Sequence, residues 1–211
     1  IDLTKQIIVV DDGSNDGTNI VLQKLSNKID KLIVHSKNLG KGAAIKSGQE
    51  YVSGKYVGIQ DADLEYEPKD LEKIVLSMEK NKYQIMYGSR VLGKSKFKNT
   101  ENFTHIVRIW GNSILTKISN FLNNQKLTDA HTCYKVLEAD IFKSIKLEEN
   151  GFAFCPEITT KISKMNLEIK ECSINYNGRT YQDGKKITLF DGLDAFFVLI
   201  KYRFLKKWKN I

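Results

Sequence analysis

Short apolar runs alternate with amphipathic stretches through the first half of the chain, and Gly, Asn, Asp or Ser bounds nearly every one. That alternation predicts repeated β-α units around a mainly parallel sheet. The runs Gln6 to Val10, Lys31 to His35, Lys55 to Gln60 and Gln84 to Gly88 read as strands. Between them, Asp16 to Leu25, Lys41 to Val52 and Lys69 to Glu79 read as helices, because apolar residues recur at spacings of three and four, as in Leu71, Ile74, Val75 and Met78. Pro68 and Asp70 suit the start of the third helix, one by its fixed φ and the other by its charge. From Lys94 to Asn102 the chain is polar, basic and aperiodic, which predicts a loop. A helix over His105 to Leu122, an extended stretch over Cys133 to Leu137, a helix over Glu157 to Lys164, a strand over Leu167 to Asn175 and a final amphipathic helix over Leu189 to Phe204 complete the pattern.

A length of 211 residues fits one domain with an embellished end. Its expected parts are a nucleotide-binding half over 1–90, an acceptor half over 91–188 and a basic terminal helix over 189–211. Hydrophobic residues at 41% and charged residues at 27% are ordinary globular values and exclude a disordered or fibrous chain. The three cysteines are widely spaced without a C-x-x-C pair, so neither a disulfide framework nor a zinc site is expected, and a reducing cytosol fits. No apolar run approaches the roughly 18 residues of a membrane span, and no secretory leader pattern opens the chain.

The net charge of +8 points to anionic partners. The bases are scattered, without an RNP-like or helix-turn-helix pattern, which argues against nucleic acid. In the stretch from Lys201 to Lys209, lysines and an arginine interleave with Tyr202, Phe204, Leu205 and Trp208. Leu193, Phe196, Phe197, Ile200 and Phe204 recur at helical spacing ahead of and among these bases. This suits either a helix lying at an anionic membrane face or a core-packed helix with a basic tail.

Chemistry concentrates at strand ends. Asp61-Ala62-Asp63-Leu64-Glu65 follows an apolar run, so three carboxylates emerge in the crevice position of an open α/β sheet. In an extended backbone, alternate residues share a side, which would set Asp61, Asp63 and Glu65 together. Clustered carboxylates repel unless a cation compensates, and hard oxygen ligands suit Mg²⁺ or Mn²⁺ completed by substrate phosphates. A solvated acidic turn is the plainer alternative. Asp11 and Asp12, in Val-Asp-Asp-Gly-Ser-Asn-Asp-Gly-Thr, either accept hydrogen bonds from a base or ribose or cap the next helix. Asn38-Leu39-Gly40-Lys41-Gly42 offers a helix start with Lys41 available to phosphate, without full P-loop spacing.

Taken in order, V-D-D-G-S-x-D-G-T, N-x-G-K-G-A-A, D-A-D-L-E-Y-x-P and Gly88-Ser89-Arg90 resemble the family 2 inverting glycosyltransferases of GT-A fold, nearest the dolichyl-phosphate mannose synthase-like branch. The likeness continues through Thr128-Asp129 with Cys133-Tyr134-Lys135, Phe154 to Ile158, and Tyr176 to Tyr181 with Gly184-Lys185-Lys186. It implies a Rossmann-like α/β fold and a UDP- or GDP-linked sugar donor. Asp12 would meet the base and Asp61 the ribose, with Asp61, Asp63 and Glu65 around the metal. Arg90 and Arg108 would meet an acceptor phosphate, and Arg179 and Lys185 would belong to a loop closing over both substrates. The implied acceptor is a polyprenyl phosphate such as dolichyl or undecaprenyl phosphate, at the cytoplasmic face of a membrane with peripheral contact; a glycan acceptor is the alternative, with Asp129 as its base. The family's usual opening strand and helix have no counterpart here, so a truncated, non-catalytic nucleotide-binding module is a further alternative. His131 stands where relatives tend to be acidic and reads as an ordinary polar group.

Overall fold

The computed structural model describes residues 3–93, 95–97, 103–179 and 189–205, with backbone alone at 95–97, 103–108, 189 and 205. Its elements follow in the order β1 (Ile8–Asp11), α1 (Thr18–Lys24), β2 (Lys31–Val34), α2 (Lys41–Gln49), β3 (Tyr56–Gly58), α3 (Pro68–Asn81), β4 (Ile85–Ser89), β5 (Ser95–Phe97), α4 (Phe103–Asn123), β6 (Lys135–Glu138), α5 (Ala139–Ser144), α6 (Phe154–Lys164), β7 (Lys170–Ser173), β8 (Tyr176–Gly178) and α7 (Leu189–Ile200), with a wide helical turn over Lys201–Leu205.

Strands β1 and β2 pair in parallel. A second sheet has the order β3-β6-β4-β7, in which β6 runs against both neighbours while β4 and β7 run together. The sheet is therefore mixed, and the antiparallel strand is one whose direction hydrophobic spacing cannot reveal. A third pair, β5 with β8, is parallel and falls partly on the expected loop, so residues 95–97 are strand, while Lys94 and 98–102 lie outside the described residues.

Strand β4 lies between β6 and β7 and is buried at every position, which makes its carboxyl end, Ser89 and Arg90, a fixed point in the molecule. Helix α3 covers β4 and β6. It begins at Pro68, buries Ile74 and Met78, and ends where Lys82 takes a left-handed φ of 56°. Asp70 does more than favour the helix terminus: it is buried and accepts the Asn175 N–H at 2.6 Å, tying α3 to the chain entering β8.

Glycines bring α2 close to the segment before α6. A Cβ on Gly42 would stand 2.1 Å from the Glu149 carbonyl oxygen. The Ala43 N–H donates to Asn150 O at 3.0 Å, and Lys46 reaches Glu148 O and Asn150 Oδ1. That segment is itself anchored by Glu157, a buried carboxylate that accepts the N–H groups of Glu148 and Glu149 at 2.7 and 2.9 Å and pairs with Lys161 at 2.5 Å.

Candidate active site

Four strand ends and the start of α2 supply the polar groups expected from the sequence. Asp12, after β1, is fully engaged: Oδ1 meets His35 Nδ1 at 2.7 Å and the Leu39 N–H at 2.9 Å, and Oδ2 accepts the Gly40 N–H at 2.7 Å. Burial works against its charge, but these donors outweigh it and hold the carboxyl below its usual range. Asp12 thus fixes the turn that launches α2. Asp11 is buried and accepts the Ser14 N–H at 3.0 Å, a local cap.

The turn held by Asp12 aims Lys41 at the end of β3, where its Nζ lies 2.6 Å from Asp61 Oδ2. Burial disfavours the ammonium, and Cys133 and Asp61 more than offset it, so the lysine stays charged. A cation is therefore already beside the first carboxylate of the acidic cluster.

The rest of that cluster does not follow the extended geometry expected of it. Leu64 adopts φ 61°, a left-handed conformation unusual for a non-glycine residue, and its side chain is 90% exposed. The bend rotates Glu65 inward, away from the side that Asp61 and Asp63 share in an extended chain. Glu65 is buried, accepting Tyr176 Oη–H at 3.0 Å on one oxygen and the Arg179 N–H at 2.8 Å on the other. Asp63 stays nearer the surface, where Arg179 Nη2 reaches its Oδ2 at 2.9 Å and Arg179 Nε lies 3.5 Å from Glu65. Burial, with the charges of Glu65 and Asp61, raises the Asp63 pKa despite Arg179. Among the described residues, no group of three or more His, Cys, Asp or Glu side chains stands close enough to hold a metal. Glu65 instead ties the acidic loop to β8.

Tyr176 carries the network across to the second cluster. Its hydroxyl is on Glu65, and its ring lies under the Arg90 guanidinium at 5.2 Å. Arg90, at the end of β4, makes a two-pronged pair with Asp129: Nε to Oδ2 at 2.6 Å and Nη2 to Oδ1 at 2.8 Å. Asn112 of α4 adds a hydrogen bond to Oδ1 at 3.2 Å. Asp129 is 0% exposed, and although burial alone would raise its pKa, the charge and hydrogen bonds of Arg90 bring it to about 2. A carboxylate so placed orients an arginine and is poorly matched to proton abstraction near neutral pH.

Glu171, which builds this cluster, was not singled out in the sequence, and Ser89, Thr128 and Lys135 stood there only within motifs, without roles of their own. Glu171 of β7 accepts the N–H groups of Thr128 and Asp129 at 2.7 and 3.0 Å, and Thr128 Oγ1 meets Ser89 Oγ at 2.6 Å. Lys135, wholly buried, donates to the carbonyls of Ala130 and Thr132 at 3.0 and 2.8 Å and sits over the Tyr87 ring at 4.1 Å. Its signals in the sequence were its place in Cys133-Tyr134-Lys135 and at the head of an apolar strand. His131, beside these cations, has an Nε2 without a hydrogen-bond partner among the described residues; burial first and then Lys135 lower its pKa to about 4, so it is neutral at pH 7.

Asp63, Arg179, Glu65, Arg90 and Asp129 thus belong to one run of contacts, with Tyr176 joining its halves, and the Lys41–Asp61 pair stands two residues before Asp63 in the chain. Arg108 lies on α4, its side chain outside the described residues, and Lys185 lies outside them altogether. Clefts of about 350 and 290 Å³ open elsewhere and share no residue with this network.

A family model described as Glycosyl transferase family 2 matches residues 2–146, more than half of the chain. The chain belongs to this family. Its relatives include a dolichyl-phosphate beta-glucosyltransferase of Dictyostelium discoideum, 30% identical over 95% of this chain and 63% of the relative. A protein of the same name from Trichomonas vaginalis is 28% identical over 82% of this chain and 55% of its own length, and a low-salt glycan biosynthesis hexosyltransferase of Haloferax volcanii is 27% identical over 82% and 40%. The chain therefore spans between two fifths and two thirds of the length of these three relatives. Among solved structures, glucosyl-3-phosphoglycerate synthase from Mycobacterium tuberculosis, in complex with Mn²⁺, UDP and glucosyl-3-phosphoglycerate, superposes with a TM-score of 0.66 at 14% identity over 96% of this chain and 71% of that one. This likeness shows the fold, a GT-A α/β arrangement with a mixed sheet flanked by helices, as the family 2 motifs implied.

Proposed function

We propose that this chain transfers a sugar from a nucleoside-diphosphate sugar to a polyprenyl phosphate, with inversion at the anomeric carbon. One observation carries the reading: two arginines, Arg179 and Arg90, flank Tyr176, one on the acidic loop and the other on Asp129. Carboxylates for a metal-bound diphosphate and a guanidinium for a second phosphate then stand side by side. The names of the Dictyostelium and Trichomonas relatives support the acceptor class.

The donor set suits Mg²⁺ or Mn²⁺ held by Asp61 and Asp63 with substrate phosphates, because such ions accept one or two carboxylates and keep oxygens from phosphate and water. Glu65, with both oxygens engaged, is outside that set. When bound, the ion would neutralise charge on the departing diphosphate. Lys41, at the start of α2 and paired with Asp61, would add a fixed positive charge.

In the reaction, an acceptor phosphate oxygen forms a bond to the anomeric carbon while the bond from that carbon to the diphosphate oxygen breaks, the electron pair leaving with the nucleoside diphosphate. A phosphate oxygen is already anionic, so no base is required, and Arg90 supplies position and charge. A glycan hydroxyl would need a base, and Asp129, ionised and spent on Arg90, is ill suited to be one.

The reading is tested by supplying UDP- and GDP-sugars with Mn²⁺ to two acceptors, a short polyprenyl phosphate and an oligosaccharide, and following product by mass spectrometry. Sugar on the prenyl phosphate alone is the expected result. Sugar on the oligosaccharide alone would overturn the acceptor assignment.

A further inference from the structure

Helix α4 buries its polar side and exposes its apolar side. Asn112, Thr116, Ser119 and Asn123 recur at spacings of three and four along one stripe; the last three are buried, and Asn112 and Asn123 bond Asp129 and Thr160 at 3.2 and 3.1 Å. On the opposite stripe Trp110, Ile114 and Phe121 are exposed, Trp110 at 67% and Phe121 at 88%. Surface helices of water-soluble domains ordinarily do the reverse. Helix α7, in contact with α4, buries Ala195, Val198 and Leu199 and exposes Phe190, Leu193 and Phe197 on its other side, with Phe204 beyond its end. Large apolar side chains grouped on two packed helices mark an interaction surface, unlike isolated exposed ones.

We infer that the α4–α7 face docks on an anionic bilayer, an assignment that rests on the polyprenyl phosphate reading and adds the surface from which that acceptor would come. Lys117 decides between occupants. It is exposed in the middle of the α4 stripe, between Ile114 and Phe121. At the core of a protein interface it would strand an ammonium, and lysine is depleted there. At a bilayer its stem lies along the apolar zone while its charge reaches the headgroups. Trp110 suits the same depth.

Charge agrees. In the sequence, Lys94-Ser95-Lys96-Phe97-Lys98 precedes α4, and Lys206-Lys207-Trp208-Lys209 follows α7, both basic and aromatic. Asp194, exposed on α7, opposes an anionic surface and leaves α4 the principal contact. Because Asn112 of α4 also touches Asp129, the docking helix and the Arg90 cluster are directly joined.

The test is flotation of the whole chain with vesicles of phosphatidylcholine alone or mixed with phosphatidylserine, comparing the parent with Trp110→Ser/Phe121→Ser and with Lys117→Glu. The parent floats with the anionic vesicles and is released by salt; the double variant partitions at least about tenfold less, and Lys117→Glu loses the preference for anionic lipid. Nucleotide-sugar binding and transfer to a short, water-soluble prenyl phosphate stay at the parent's level in both, which shows that they are folded. Equal flotation of parent and double variant, or none by the parent, overturns the inference, and so does a lipid-free dimer in analytical ultracentrifugation that the double variant abolishes. Flotation without transfer to the short acceptor would instead remove the catalytic reading and leave the docking surface standing.

Discussion

Arg179 reaches back from the end of β8 to set its guanidinium 2.9 Å from the carboxylate of Asp63. The same arginine gives its backbone N–H to Glu65, so one residue closes the acidic loop by main chain and side chain together. If the proposed divalent ion binds at Asp63, it and the Arg179 guanidinium would draw on the same carboxylate, and the arginine would compete with it.

Replacing Arg179 with alanine is therefore predicted to tighten binding of Mn²⁺ alone. The pair is partly exposed, so solvent screening limits it to roughly 0.2–1 kcal/mol, a gain of about 1.5- to 5-fold. Electron paramagnetic resonance of free Mn²⁺ during titration, with no nucleotide present, measures it; weaker binding by the variant would remove the competition.

Asp129→Asn leaves the largely buried Arg90 guanidinium without its counter-charge. Breaking a buried pair costs about 3–5 kcal/mol, and a drop of that size in urea-unfolding stability is expected at pH 7. Acid dependence follows from the same group. Its folded pKa of about 2 lies below the unfolded value, so its contribution is complete above about pH 4 and is lost as pH falls through 2. The Asn variant should show a shallower loss of stability over that window than the parent.

His131 has the opposite consequence at milder pH. Its folded pKa is lowered to about 4, so below about pH 6.5 the unfolded chain takes up a proton that the folded chain refuses. Stability falls as pH drops from about 6.5 to 4, by up to roughly 1.4 kcal/mol per pH unit. His131→Gln should flatten urea midpoints measured at pH 7, 6 and 5; an unchanged slope would show that the folded chain protonates this ring as readily as the unfolded one.

Gly42→Ala places a methyl group against the Glu149 carbonyl, a contact of 2.1 Å between backbone-bound atoms that must move apart. Overpacking of this kind costs about 1–3 kcal/mol and shifts Lys41 away from Asp61. Nucleotide-sugar affinity should fall along with the thermal midpoint. Gly111→Ala, where a Cβ meets nothing within 4 Å among the described residues, is the control expected to leave affinity unchanged.

The sequence disclosed what repeats or clusters. Apolar runs bounded by turn residues, and helices with three-and-four spacing, placed β1 to β4 and α1 to α3 within a few residues of their observed bounds. The three-residue strands β5 and β8 lie in polar stretches, Ser95–Phe97 and Tyr176–Gly178, with no apolar run to mark them, and the six-residue α5 is too short to carry a helical period, so all three were missed. The site's second half was legible only in part, because its order depends on contacts between distant positions. Glu171 caps the turn at Thr128 and Asp129 from 42 or 43 residues away, and Tyr176 finds Glu65 across 111. Glu65 was misplaced for a local reason: a left-handed residue, Leu64, is unexpected between two carboxylates, and it reverses which face Glu65 joins.

Calorimetric titration of a nucleotide sugar into the protein, with and without Mn²⁺, puts the donor site to the most direct test. The account predicts saturable binding that depends on the metal and disappears in Asp63→Ala, while Asp194→Ala binds as the parent does. Metal-independent binding, or binding that Asp63→Ala leaves intact, would contradict it.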